Sequence, residues 1–92
     1  SMVKGGQNAF VKALSKELAP MGIRVNAVSP GAVKTQMLNG FSDEELQQLE
    51  EEIPLGRLAE PEEIASSIFY LLSDASSYIT GQIMRVNGGW YT

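Results

Sequence analysis

The fold of this chain is decided by residues 22–31, Gly22-Ile23-Arg24-Val25-Asn26-Ala27-Val28-Ser29-Pro30-Gly31. The part from Ile23 to Val28 is short and rich in β-branched residues, and the Pro-Gly pair after it is typical of the end of a strand. A second short apolar run, at 83–86, is closed by Asn87-Gly88-Gly89. We therefore predict two strands, at 23–28 and 83–86, each leading into a loop.

Helical patterns surround these two strands. An amphipathic helix over about 3–19, stopped by Pro20 and Gly22, is predicted from apolar residues at helical spacing: Phe10, Val11, Leu14 and Leu18. Ser42 and Glu45 match the Ser-x-x-Glu capping box, which predicts a short acidic helix from 43 to about 52. Pro61 begins a third helix, and its predicted apolar face consists of Ile64, Ile68, Leu71 and Leu72.

The order strand, helix, strand predicts a βαβ unit in which the two strands are parallel and joined by a right-handed crossover. That arrangement belongs to an α/β fold. Two parallel strands are not a stable sheet on their own, and parallel sheets normally have both faces covered. We therefore expect residues 1–92 to be a single, incomplete domain.

Composition excludes several classes of function. The 92 residues contain no Cys and no His, which rules out zinc fingers, disulfide frameworks and His-based catalytic triads. An excess of 11 acidic over 7 basic residues argues against nucleic acid and against anionic membranes as partners. With no apolar run of membrane-spanning length and no signal peptide, we expect a cytoplasmic protein.

Four stretches in this order resemble the C-terminal part of the short-chain dehydrogenases/reductases: 22–31, Gly56-Arg57-Leu58, Ile79-Thr80-Gly81 and Val86-Asn87-Gly88-Gly89. The ending at 78–82 followed by Val-Asn-Gly-Gly is most similar to bacterial 3-oxoacyl-acyl-carrier-protein reductases. The resemblance implies the C-terminal portion of a Rossmann-type, doubly wound parallel sheet. It also implies NADP or NAD as cofactor.

The resemblance gives Lys4 a catalytic and cofactor-binding role, as the lysine of the family's Tyr-x-x-x-Lys pair. An ammonium one helical turn from a tyrosine lowers the phenol pKa and can also hydrogen-bond the nicotinamide ribose. The tyrosine would fall one residue before Ser1, so we expect this sequence to be a fragment that is inactive when isolated. Taken alone, without the rest of the pattern, Lys4 is better interpreted as a solvated lysine at the start of a helix.

The loop after the first strand is the second site that the resemblance implies. Pro30 and Gly31 end a strand, and in open α/β sheets ligands collect beyond the carboxyl ends of strands. In the family, backbone groups at Val33 and the hydroxyl at Thr35 hold the nicotinamide carboxamide. We therefore expect Pro30, Gly31, Val33 and Thr35 to bind the cofactor, although Pro-Gly pairs and loop threonines are also common in ordinary turns.

Residues from 36 to about 52 match the family's variable substrate-binding region. An apolar pocket or lid is the predicted role of Gln36, Met37, Leu38 and Phe41, with ordinary loop packing as the alternative. We interpret the acidic run at 43–52 as a solvated helix face and predict no metal site, because carboxylates in sequence do not by themselves converge on an ion.

The implied function is reduction of a ketone to a secondary alcohol with NAD(P)H, with a 3-oxoacyl-acyl-carrier-protein as the leading substrate. Met21 stands where several carrier-protein reductases have a basic residue, and the candidates to compensate for it are Lys12, Lys16, Arg24 and Lys34. Two alternatives stay open. One is a sugar, polyol or small-alcohol dehydrogenase of the same family, and the other is a non-catalytic module that self-associates through an open strand edge.

The resemblance further implies a homo-oligomer, either a dimer or a tetramer. Trp90 and Tyr91 are candidate aromatic contacts between subunits. Packing of the chain end onto its own fold is the alternative for both aromatic residues.

Overall fold

The computed structural model describes the backbone of residues 2–90 and the side chains of residues 6–35 and 38–90. Helices and strands follow the predicted order: α1 (Met2–Leu18), β1 (Ala27–Pro30), α2 (Asp43–Glu52), α3 (Pro61–Leu72) and β2 (Ile83–Val86). Short 3₁₀ turns lie at Ala19–Met21, Gln36–Gly40 and Asp74–Ser76. No helix within residues 2–90 combines the length and the apolar character that crossing a bilayer requires.

The two strands pair in parallel, as predicted, with a register that runs from Ala27 opposite Ile83 to Pro30 opposite Val86. The predicted bounds of β2 are confirmed, but those of β1 are wrong, because the ladder begins at Ala27 rather than at Ile23. Residues 24–26 direct their polar groups to the turn at 79–82 through side-chain hydrogen bonds, as described below, and so precede the strand without joining its ladder.

The helix ends follow from local sequence. Gly22 adopts a positive φ of 74° and donates its N–H to the Ala19 carbonyl at 2.9 Å, which ends the turn after α1 as predicted. At the start of α2, the Ser42 hydroxyl accepts the Glu45 N–H while the Glu45 carboxylate accepts the Ser42 N–H, both at 3.1 Å. The predicted capping box is therefore present.

The interior contains four buried apolar side chains among those described: Val11, Ile53, Leu58 and Leu71. The predicted apolar face of α3 is covered only in part. Leu71 is buried, whereas Ile68 and Leu72 are 44% and 74% exposed. A four-residue strand is about 13 Å long, roughly two turns of a helix, so the two-stranded sheet covers only part of the three-turn α3 and the rest of this face stays in contact with solvent.

A hydrogen-bonded group, here called the amino-end cluster, fixes the start of the sheet and consists of Arg24, Val25, Asn26, Ile79 and Thr80. The Arg24 guanidinium donates to the Leu71, Ser73 and Ile79 carbonyls at 2.9, 3.3 and 3.1 Å. A cation here meets carbonyls at the C-terminal end of a helix, where Ser76 Oγ also donates to the Leu71 and Ser73 carbonyls at 3.0 and 3.1 Å. Arg24 therefore joins the end of α3 to the turn before β2.

Two further side chains complete the amino-end cluster. The Thr80 hydroxyl accepts the Val25 N–H at 3.0 Å. The Asn26 amide donates to the Ile79 carbonyl and accepts the Gln82 N–H, each at 3.0 Å. Side chains thus satisfy the Val25 N–H, the Gln82 N–H and the Ile79 carbonyl, whereas the Val25 carbonyl accepts the backbone N–H of Gly81 at 2.8 Å.

Candidate functional site

The carboxyl end of β1 passes very close to the residues that follow β2. The Gly31 N–H donates to the Val86 carbonyl at 3.0 Å, which extends the ladder by one residue. A Cβ atom on Gly31 would lie 2.8 Å from both the Cα and the Cβ of Asn87. Residue 31 is therefore glycine because no side chain fits between the two chain segments.

Beyond Gly31 the chain leaves β2 and pairs with a different partner. The Ala59 N–H donates to the Ala32 carbonyl at 2.9 Å, and the Lys34 N–H donates to the Ala59 carbonyl at 2.8 Å. These two bonds make a parallel bridge between Val33 and Ala59. Successive residues of an extended chain direct their backbone groups to opposite edges, so the N–H and C=O of Val33 point away from Ala59.

Thr35 continues this extended segment and precedes the turn at Gln36–Gly40. Its φ and ψ are −133° and 168°, its side chain is exposed, and its hydroxyl does not cap the turn that follows. Its carbonyl accepts the Leu38 N–H at 3.1 Å. Four of the five residues predicted to bind the cofactor, all except Lys4, thus lie on one continuous segment, residues 30–35, at the carboxyl end of the sheet.

The predicted substrate residues lie directly after this segment. Leu38 is half-buried, and Phe41 is 43% exposed. Gln36 and Met37 belong to the 3₁₀ turn, but their side chains lie outside the described residues, as does the side chain of Lys4 in α1. Leu38 and Phe41 therefore present partly exposed apolar surface next to segment 30–35.

The sequence analysis missed a paired charge beside the site. Arg57 binds Glu63 through two contacts, Nη1 to Oε1 at 2.7 Å and Nη2 to Oε2 at 2.8 Å. Oε1 of Glu63 also accepts the Glu60 N–H at 2.9 Å. The hydrogen bond from Arg57, followed by that from the Glu60 backbone, lowers the pKa of Glu63 from 4.5 to about 2.

The same pairing raises the pKa of Arg57, chiefly through the hydrogen bond to Glu63. Arg57 was noted in the sequence only as part of Gly56-Arg57-Leu58, with no partner assigned to it. A separation of six residues across a bend gives no periodic signal, so their contact could not be found from the sequence.

Two of the basic candidates for carrier binding are already engaged. Arg24 is held by three backbone carbonyls in the amino-end cluster, and Lys34 Nζ lies 3.1 Å from Glu60 Oε1. Lys12 and Lys16 are exposed and lie four residues apart on α1, which places them on one side of the helix. Of the four, these two lysines are the better candidates for an acidic partner.

With this geometry in view, comparison with known proteins is informative. A family model described as enoyl-(acyl carrier protein) reductase matches residues 1–91. This chain belongs to the short-chain dehydrogenases/reductases. The resemblance read from the sequence is therefore confirmed, and membership of this oxidoreductase family implies a nicotinamide cofactor.

Individual short-chain dehydrogenases/reductases are similar over nearly the whole chain. The uncharacterized oxidoreductase YmfI of Bacillus subtilis is 62% identical over 91 residues, which is 99% of this chain and 38% of that protein. The 3-oxoacyl-[acyl-carrier-protein] reductase FabG of Aquifex aeolicus is 47% identical over 91 residues, which is 99% of this chain and 37% of that protein.

A crystal structure of 3-oxoacyl-[acyl-carrier protein] reductase from Brucella melitensis superposes with a TM-score of 0.90 at 39% identity, and the match covers 97% of this chain and 33% of that one. The predicted fold class, a portion of a Rossmann-type parallel sheet, is confirmed by this likeness. The chain spans little more than a third of the length of these relatives.

Proposed function

We propose that residues 1–92 are the C-terminal part of a dinucleotide-binding reductase domain, and that the whole protein reduces a ketone to a secondary alcohol. The proposed substrate is a 3-oxoacyl group carried on acyl carrier protein, and the proposed cofactor is NADPH or NADH. Similarity to 3-oxoacyl-[acyl-carrier-protein] reductases at 47% and 44% identity supports this choice of substrate. A cytoplasmic homo-oligomer remains part of the proposal.

The observation that carries the proposal is the geometry of segment 30–35. A nicotinamide carboxamide has one carbonyl that accepts and one amide that donates hydrogen bonds. Segment 30–35 supplies the N–H and C=O of Val33, which point away from Ala59, and the Thr35 hydroxyl, which does not cap its turn. Both donors and acceptors of the right kind thus lie where parallel sheets bind ligands.

When bound, the nicotinamide supplies the hydride, and the residues of this chain hold its ring. In the proposal, Val33 and Thr35 fix which ring face is turned toward the ketone. Lys4 lowers the pKa of a neighbouring tyrosine, which donates the proton to the developing alkoxide, and it hydrogen-bonds the ribose. Leu38 and Phe41 would supply apolar surface to the substrate site, and Gln36 and Met37 are proposed for the same site.

A Thr35→Val variant of the complete protein tests the cofactor site. Valine keeps the shape of threonine and removes the hydroxyl, so we expect cofactor affinity to fall by roughly three- to tenfold, the value of one hydrogen bond. The matched control is Thr80→Val in the amino-end cluster, which we expect to lower stability and leave cofactor affinity unchanged. Unchanged affinity in Thr35→Val would contradict the assignment.

Rates with different substrates test the reaction. We expect the complete protein to reduce a 3-oxoacyl thioester at least tenfold faster, by kcat/KM, than it oxidises sugars, polyols or small alcohols. Faster turnover of a polyol or small alcohol would instead assign a dehydrogenase of the same family. Absence of turnover with every substrate, in a protein that self-associates, would favour the non-catalytic assembly module.

A further inference from the structure

We infer that the Arg57–Glu63 pair positions segment 30–35, and through it the nicotinamide half of the cofactor. The inference rests on the proposed function, because that function places the carboxamide at Val33 and Thr35. Arg57 and Glu63 are positioning residues in this account, since they act through the backbone at Ala59 and not by touching the ring. The inference goes beyond the proposed function by identifying what holds the binding segment in place.

The position of Val33 depends on the position of Ala59. Two backbone hydrogen bonds, of 2.9 and 2.8 Å, tie Ala32 and Lys34 to Ala59, one on each side of Val33. The ion pair between Lys34 and Glu60 adds one contact of 3.1 Å in the same direction, between exposed side chains, so it contributes little to rigidity. The Arg57–Glu63 pair is similarly exposed, at 54% and 42%, but differs in having two shorter contacts in bidentate geometry. A displacement of Ala59 is therefore passed directly to Val33.

The position of Ala59 depends in turn on Glu63. The Arg57 side chain and the Glu60 N–H, which lie before and after Ala59 along the chain, both donate to the Glu63 carboxylate. The carboxylate thus accepts three hydrogen bonds from the two ends of one four-residue segment. Leu58, 3% exposed, anchors the same segment in the interior.

Glu63 is itself attached to a rigid element, the first turn of α3. The other end of α3 is joined by Arg24 to the turn before β2. Arg57 and Glu63 also line the same small cavity as Ala32 and Ala59, which shows that the pair lies directly beside the chain it supports. A continuous path of contacts therefore runs from α3 through Glu63 and Ala59 to Val33.

Charge and geometry both matter for this support. The bidentate contact needs the planar fork of arginine, which a lysine cannot reproduce. Because the pKa of Glu63 is lowered to about 2, the carboxylate stays ionised at every pH at which a reductase is assayed. The pair therefore holds the segment constantly and does not act as a pH switch.

The experiment compares two ligands of the complete protein. One is the oxidised cofactor that the protein uses, NADP⁺ or NAD⁺, and the other is the matching ADP-ribose, which lacks the nicotinamide. The dissociation constant of the ADP-ribose divided by that of the cofactor isolates the contribution of the nicotinamide ring, and this quotient is the ratio used below. In Arg57→Met and Glu63→Gln we expect this ratio to fall roughly five- to tenfold, with the dissociation constant of the ADP-ribose unchanged.

Two matched variants sharpen the comparison. Arg57→Lys keeps the charge without the fork, so we expect an intermediate fall in the ratio. Glu17→Gln, the matched control for Glu63→Gln, removes an exposed carboxylate on α1, remote in sequence from the pair, and we expect it to leave the ratio unchanged. A second readout is the stereospecificity of hydride transfer from deuterium-labelled reduced cofactor. We expect it to decrease in Arg57→Met, because a loosely held nicotinamide ring can rotate and present its other face to the substrate.

A purely structural role for the pair predicts a different result. Fewer molecules would fold, so the number of binding sites would fall, while both dissociation constants and the stereospecificity would stay as in the wild type. That result would overturn the inference. If Thr35→Val binds the cofactor and the ADP-ribose each with the same affinity as the wild type, the proposed function fails as well. If Thr35→Val lowers the ratio and the Arg57 and Glu63 variants do not, only the positioning inference fails.

Discussion

The two ends of this small sheet use their polar groups in opposite ways. At the start of β1, side chains of Arg24, Asn26 and Thr80 bind backbone groups across the sheet. At the end of β1, segment 30–35 is held by backbone contacts to Val86 and Ala59, while the backbone groups of Val33 point away from Ala59.

The difference separates stability from binding within one element. A polar group that loses water without gaining a partner is costly, so a cluster saturated with internal hydrogen bonds is suited to hold the fold and has little left to give a ligand. The carboxyl end keeps donors and acceptors directed outward from its own ladder. Substitutions at the two ends should therefore alter different measured quantities.

The largest effect is expected at the amino end, for Arg24→Met. Loss of the guanidinium removes three charge-assisted hydrogen bonds, although Ser76 Oγ still donates to the Leu71 and Ser73 carbonyls. We therefore expect the free energy of unfolding of the complete protein to fall by about 2–4 kcal/mol. Urea titration measures this change. The dissociation constant of the ADP-ribose divided by that of the cofactor should remain that of the wild type.

The control for Arg24→Met is Arg85→Met, which removes a cation from an exposed position on β2. An exposed substitution of this kind changes stability by less than about 0.5 kcal/mol. Equal losses in the two variants would show that the carbonyl contacts of Arg24 do not stabilise the sheet.

A smaller loss of stability, combined with weaker binding, is expected at the carboxyl end for Gly31→Ala. The added methyl group would meet the backbone of Asn87 at 2.8 Å, so the two segments must separate, at a cost of about 1–3 kcal/mol. Because Gly31 leads directly into Val33, cofactor affinity should fall as well. Gly40→Ala is the matched control, since a Cβ there meets nothing within 4 Å. A fall in stability without any change in cofactor affinity would separate Gly31 from the binding segment.

The smallest effect concerns the pH dependence of the Glu63 contribution. A carboxyl whose pKa is lowered from 4.5 to about 2 by folding stabilises the folded state fully above pH 4.5, and this stabilisation is lost as the pH falls toward 2. The difference in urea midpoint between wild type and Glu63→Gln should therefore be constant from pH 5 to 9 and shrink below pH 4.5. A difference that stays unchanged as the pH falls from 4.5 toward 2 would contradict a lowered pKa of Glu63.

Elements with local signals were predictable from the sequence. The capping box of α2, the proline at the start of α3 and the apolar run of β2 each depend on neighbouring residues, and the structure confirms all three. The start of β1 was not predictable, because the Val25 N–H binds the Thr80 hydroxyl and the Arg24 side chain binds the Ile79 carbonyl, each more than fifty residues away. No periodicity reports a tertiary hydrogen bond of that kind.

The candidate site divides in the same way. Segment 30–35 was recognisable from the Pro-Gly pair and the resemblance, and its position at the carboxyl end of β1 follows from strand order. The contact between Arg57 and Glu63 was missed because it depends on how the chain bends between 57 and 63. The exposure of Ile68 and Leu72 was missed because periodicity reports an apolar face but not whether anything covers it.

The long separation between the two paired strands has a consequence for folding. Contacts that hold β1 against β2 join residues 55 and 56 positions apart in a chain of 92, whereas the helices form from near neighbours. Closing so long a loop lowers the conformational entropy of the chain before the contacts between the strands can stabilise it. We therefore expect the sheet to form late, after α2 and α3. Segment 30–35 is then completed in the last step of folding. Bound cofactor should accordingly slow unfolding and leave the folding rate nearly unchanged.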